Sequence, residues 1–289
     1  MRWEMGTKQY STVYRVQGIP MEYRKKQLKE ALTSIFHLLE TENFVRIYSL
    51  APNYTWSRSL KVATITFDKE IEVLSEGKKE ACFVVPTGDT DDDDDDGAFS
   101  QRVTFKLDVH FEGLTPLRAF RNERDHLIDV VAVTGLGGHA YGSFKERGGD
   151  HMWLRDSLPQ DLEAAQIYLY GYDSHLSNSQ SFQGIVALAT TLRQRLQRLR
   201  RVSEHDDRPV PRPLIFIAHS LGGILVKEAL VQMQDDPHDQ RMLKTVFGAL
   251  FFGVPNHGMD ITSLRTMVRG QPNENLVTQL GFSTFRTPA

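Results

Sequence analysis

The chain holds a single cysteine, Cys82, among 289 residues. An internal disulfide is excluded, and nothing in the cysteine usage demands an oxidising compartment. Long apolar runs are missing as well. A spanning helix needs about 18 or more uninterrupted apolar residues, and the best candidate, Ala249 to Val254, is far shorter. The N-terminal MRWEMGTKQY is polar and lacks the apolar centre of a secretory signal. Neither sign of charge dominates: the formal net charge of −3 gives no general pull toward nucleic acid or anionic lipid. The ten histidines are scattered without the spacing of a zinc site, so no metal is expected. These absences predict a soluble, intracellular and most simply cytoplasmic protein with no transmembrane segment. The 40% apolar and 25% charged composition is that of a globular protein, with room for one large domain or two ordinary ones.

The sharpest break is GDTDDDDDDG, Gly88 to Gly97. Consecutive aspartates repel one another and cannot bury a core, so residues 89–97 read as a disordered, solvated linker. Calcium loops alternate ligands with spacers and carry a distal Glu; this run does neither. Before it, residues 1–88 show a β-α-β-β-β order. Thr12 to Val16 alternates up to Gly18–Ile19–Pro20, and Arg24 to Phe36 has helical spacing through Leu28, Leu32 and Ile35. Val45–Leu50, Leu60–Phe67 and Cys82–Val85 read as strands. That order predicts a small ferredoxin-like α+β unit. RNA-recognition modules share the topology and stack bases on strand aromatics. Arg15, Val62 and Thr64 stand where those aromatics are needed, so no nucleic-acid partner is expected and a packing or interaction module is preferred. Residues 98–125 read as a connecting strand and loop, with RVTFKLDVHF alternating from Arg102 to Phe111.

Residues 126–289 read as α/β. Ile128–Val133, Ile167–Tyr170, Leu214–Ala218 and Val246–Gly253 are continuous apolar runs, the mark of strands buried on both faces. Phe182–Leu199 and Gly223–Met233 carry helical spacing between them. Alternating helices and buried strands predict a mostly parallel sheet with right-handed crossovers. The basic stretch QRLQRLRR, Gln194 to Arg201, keeps its leucines at helical spacing, so its arginines are expected on a solvated face.

The third of those strands runs into IFIAHSLGG and then a helix. A nucleophile elbow places a serine on a strained strand-to-helix turn, with small residues two before and two after it. Here the serine is Ser220 and the small residues are Ala218 and Gly222, with Gly223 next and His219 expected as a packing residue. Upstream, VVAVTGLGGHAYG is a strand followed by a glycine-rich turn containing Gly135. In α/β-hydrolases such a turn donates one oxyanion N–H and the residue after the serine donates the other. The donors would be Leu136 and Leu221. A phosphate-binding turn is the competing reading of TGLGGH, but neither G-x-G-x-x-G nor a Walker lysine is present.

The pieces VVAVTGLGGHAYGSF, MWLRDSLP, IYLYGYDS, RPLIFIAHSLGGILVKEAL and ALFFGVPNHGMD occur in one order across Asp125 to Ala289. In these the chain resembles the serine-active-site-containing (SERAC1-like) lipase/esterase family, in its fungal form at the front of larger NLR-like proteins. The resemblance implies an α/β-hydrolase module, Ser220 as the functional serine, and Gly135 and Leu136 as the oxyanion turn. It implies ester or lipid-acyl chemistry without a cofactor, or in fungal members a signalling domain. Association with a mitochondrial or endoplasmic-reticulum membrane is also within the family's range. Thr134 stands where many relatives have a histidine.

A serine nucleophile needs a base and an orienting acid, in the chain order Ser, Asp/Glu, His. After Ser220 the histidines are His238, in an apparent surface loop, and His257, which is expected to border the site. Asp260 is a candidate acid; Asp173 precedes the serine and reads as structural. The triad therefore looks incomplete within this chain, and the sheet is expected to stop after the strand following the elbow. Two functions compete: a serine esterase or lipase-like hydrolase, and a catalytically inactive interaction module with protein partners.

Overall fold

The computed structural model describes residues 12–36, 44–53, 59–68, 80–87, 101–176, 179–203 and 212–282. The aspartate-rich linker lies outside these described residues. The chain divides into two compact units, the first formed mainly by residues up to Val109 and the second mainly by His110 onward.

The first unit is a five-stranded antiparallel sheet with one helix. Its strands are β1 (Val13–Pro20), β2 (Val45–Pro52), β3 (Leu60–Phe67), β4 (Glu80–Thr87) and β5 (Gln101–Asp108), in the order β2-β3-β1-β5-β4. Helix Lys25–Ile35 buries Leu28 and Leu32 against Val16, Ile19, Ala63, Ile65, Phe105 and Leu107. Strands β1, β2, β3 and β5 share one apolar core with this helix. One assignment changes. RVTFKLDVHF is not a connection: β5 pairs antiparallel with β1, Val16 opposite Leu107, and β4 lies outside it at the edge. The reason is the alternation itself, which sends Phe105 and Leu107 into this core. The positions that carry base-stacking aromatics in RNA-recognition modules are filled here by the buried Arg15, Val62 and Thr64. Arg15 is consumed by a 2.9 Å ion pair to Asp108, and Thr64 shares a 2.7 Å hydrogen bond with Ser49.

The second unit carries the other five-stranded sheet, in the order β10-β9-β7-β8-β6. Its strands are β6 (Gly113–Pro116), β7 (Ile128–Val133), β8 (Ala165–Gly171), β9 (Leu214–His219) and β10 (Val246–Phe252). Strands β7, β8, β9 and β10 are parallel, and β6 joins β8 antiparallel. From β7 the chain moves to β8 on one side and then crosses to β9 on the other. The carboxyl ends of β7 and β9 therefore flank a topological switch point, where α/β sheets place their sites. Helices Ile185–Ser203 and Leu221–Asp235 bury Leu188, Leu192, Leu196, Leu225, Val226 and Ala229 with Val131, Tyr168 and Phe216 of the sheet. This strand order, with an antiparallel strand beyond β8 and a strand-turn-helix after β9, is that of an α/β-hydrolase-type sheet.

The arginines of Gln194–Arg201 divide: Arg198 is exposed, as expected, whereas Arg200 is buried. Arg193 pairs with Asp236 and Asp239 at 3.2 Å each, and Arg200 pairs with Asp129 at 2.9 Å. Asp129, at the start of β7, is fully buried and also takes a 2.7 Å contact from His126 Nε2. Arg212 Nε lies 3.6 Å from the same carboxylate. Helical spacing located the leucines correctly, but the guanidinium groups reach past them to buried acids. Strand β10 is the sheet edge among the described residues, and it exposes Phe247, Leu250, Phe251 and Phe252. No helix among the described residues is long and apolar enough to cross a membrane.

Burial alone pushes the Asp129 carboxyl up, but the His126 hydrogen bond and the Arg200 and Arg212 charges outweigh it and hold it below the ordinary range. A depressed folded-state value adds stability above the unfolded value of about 3.9 and loses it as pH falls through the folded value. Asp129→Asn is expected to lower stability by about 3–5 kcal/mol, because two guanidinium groups lose their buried partner. Urea unfolding of both proteins should show that gap constant from neutral pH down to about pH 5, shrinking only below about pH 4.

Candidate active site

The two turns at the switch point touch each other. Ser220, between β9 and helix Leu221–Asp235, has φ 51° and ψ −126°, a conformation unusual for a residue with a Cβ. Its N–H donates to Phe252 O at 2.9 Å, which ties the turn to the end of β10. Its carbonyl accepts from Gly223 N–H at 3.0 Å. Such a backbone costs about 1–3 kcal/mol and persists only where neighbours impose it.

Close approach explains the small residues. A Cβ on Gly222 would sit 2.4 Å from Thr134 O and 2.6 Å from Val133 O. One on Gly135 would sit 2.7 Å from Ser220 Cβ. Gly223 meets Val254 in the same way, at 2.2 Å, and Ala218 is fully buried between Val133 and Phe251 in register. The helix therefore starts directly against the carboxyl end of β7, and the glycine turn lies on the serine.

Leu136 follows Gly135 and is half-buried against the core. Leu221 is the first residue of the helix and is fully buried. Neither N–H is donated to an acceptor among the described residues. First-turn N–H groups of a helix carry its partial positive charge and suit a developing anion. Thr134 is buried and donates to Ser143 Oγ at 2.7 Å; that oxygen also accepts from His139 N–H at 3.0 Å.

The other sequence candidates fall around this pair of turns. His219 is exposed, with Nδ1 lying against Gly135, rather than packing into the core as expected. A strand's last residue alternates outward when its predecessor, Ala218, points inward. His257 is exposed in the Pro255–Gly258 turn after β10, and His238 sits in the surface turn Pro237–Asp239. Asp260 is exposed and accepts from Thr262 N–H at 2.9 Å and Thr262 Oγ1 at 2.6 Å, bonds that hold its carboxyl below the ordinary range. It thus caps helix Thr262–Val268 and is joined to no histidine among the described residues. No described histidine hydrogen-bonds the Ser220 hydroxyl. No group of three or more metal-ligating side chains occurs among the described residues.

No protein-family model matches the chain. Protein SERAC1 of the zebrafish Danio rerio is 31% identical over 156 residues, 49% of this chain and 24% of that protein. Human SERAC1 is 24% identical over 167 residues, 52% of this chain and 25% of that protein. The similarity to these SERAC1 proteins covers about half of this chain. The chain spans about a quarter of the length of the curated relatives it matches. Among solved structures, the type II thioesterase YbtT from the yersiniabactin NRPS/PKS pathway aligns with a TM-score of 0.36 and 15% identity, over 60% of this chain and 70% of that one. The fold assignment rests on strand order and turn geometry, not on that likeness.

Sequence reasoning missed the loop after β8. Ser174 O and Oγ bond the glycine turn and Leu176 packs on Gly137, yet no periodicity or spacing encodes a bond between two loops 36 residues apart.

Gly222→Ala forces backbone atoms apart and is expected to cost about 1–3 kcal/mol. Gly248→Ala in β10, whose Cβ would meet nothing within 4 Å, is the control and should stay within about 0.5 kcal/mol of the parent. Urea unfolding midpoints compare the two.

Proposed function

We propose that the second unit is a serine hydrolase domain of the esterase or lipase type, with Ser220 on a nucleophile elbow. The observation that supports it is the positive φ of Ser220 at the end of β9, beside two N–H groups without acceptors among the described residues. In this reading the Ser220 oxygen bonds the acyl carbon, the ester C–O bond breaks, the hydroxyl proton leaves with the alkoxide as the free alcohol, and water then cleaves the acyl-serine to release the acid. The N–H groups of Leu136 and Leu221 hold the oxyanion, with Gly135, Ala218, Gly222 and Gly223 making room for the turn. His219 and His257 border the entrance. Asp260 keeps its capping role, and the reading assigns no base among the described residues. An ester or lipid acyl group is the substrate class that the SERAC1-like resemblance favours.

A fluorophosphonate probe reacts only with a serine that is activated and held beside an oxyanion site. The folded parent protein should be labelled at Ser220, with labelling and hydrolysis of a short p-nitrophenyl ester lost in Ser220→Ala by about a thousandfold or more. A folded parent that resists the probe refutes the hydrolase reading and leaves an interaction module with a retained hydrolase fold.

A further inference from the structure

The turn that would hold the oxyanion is poor at holding itself. Three of its four positions, Gly135, Gly137 and Gly138, are glycines, which lose more chain entropy on ordering than any other residue. Its one internal backbone bond is Gly138 N–H to Gly135 O at 3.1 Å. Preorganised donors accelerate a reaction only when they are fixed before charge develops. Something outside the turn must fix it.

The loop after β8 does so from both sides. Ser174 O accepts from Gly137 N–H at 2.6 Å, and Ser174 Oγ donates to Gly138 O at 2.6 Å. Ser174 is 2% exposed, so water does not compete for these bonds. The preceding Tyr172 hydroxyl donates to Thr134 O at 2.9 Å, one residue before the turn. The loop is itself braced. Asp173 contacts His175 Nδ1 at 2.8 Å and accepts from Ser179 Oγ at 2.9 Å. Asn273 Nδ2 donates to His175 O at 2.7 Å and Leu176 O at 3.0 Å. Leu176 Cδ1 packs on Gly137, filling the space that a side chain there would use.

We infer that Ser174 is a positioning residue: its two bonds fix the Gly135–Gly138 turn so that Leu136 N–H faces an oxygen bound at Ser220. Asp173, Ser179 and Asn273 hold Ser174 in place. This rests on the hydrolase reading above, and its role is preorganisation, not contact with substrate. The arrangement explains why a carboxylate that precedes the serine in the chain sits at the same end of the sheet without being a triad member.

The test combines labelling, kinetics and hydrogen exchange on the intact chain. In Ser174→Ala, fluorophosphonate labelling and ester kcat are expected to fall about ten- to a hundredfold, with KM within about twofold. Exchange in peptides covering residues 134–140 should speed up while β7 and β9 stay protected. Ser174→Thr, which keeps the hydroxyl, should recover most of the rate. Should Ser174→Ala not fold, Ser179→Ala, which loosens the loop while leaving Ser174 in place, carries the test with a smaller loss in the same direction. Unchanged exchange and labelling in the variant overturn the inference, as does a loss confined to KM. A parent with protected 134–140 amides that resists the probe overturns the hydrolase reading first, and the catalytic role of Ser174 with it.

Discussion

Everything at the carboxyl edge of the second sheet depends on how closely the first turn of helix Leu221–Asp235 approaches the end of β7. Backbone oxygens of Val133 and Thr134 stand where a Cβ of residue 222 would be. Only glycine allows that approach, and only that approach sets Gly135 on Ser220. The unusual backbone of Ser220 follows from it, because the chain must leave β9 and enter the helix within one residue. The bond from Ser220 N–H to Phe252 O then fixes the turn to β10 on the far side.

Strand β7 is held differently at its two ends. At its start a buried carboxylate gathers His126, Arg200 and Arg212, tying the strand to the end of the long helix and to the entry of β9. At its finish the direct contacts are glycine backbone and hydroxyl bonds from Ser174 and Tyr172. The ionic end is stiff but costly in desolvation.

Much of this was legible in the sequence. Continuous apolar runs located β7 to β10, since a strand covered on both faces needs no alternation. The small residues around Ser220 and the glycine turn after β7 marked the two facing loops, because close backbone approach leaves a compositional trace. Three things were not legible. Pairing of β5 with β1 is a long-range choice that a strand's own pattern does not encode. The fate of the helical arginines depends on acids brought near by the fold, as with Arg193 and Asp236. The bonds of Ser174 join two loops, and a serine in a loop has no periodicity to betray its partner. His219 shows the opposite error: residue type suggested packing, while the strand's alternation from buried Ala218 already pointed it outward.

The left-handed backbone of Ser220 also bears on how the sequence can drift. At that position glycine has no steric penalty, so pressure for stability alone would replace the serine. The same strain makes most other residues worse than the serine, above all β-branched ones. Random change at this site therefore has few neutral exits, and the easiest of them deletes the hydroxyl while firming the fold. A hydroxyl at residue 220 runs against the grain of folding, and a lineage with no need for it would be expected to shed it early.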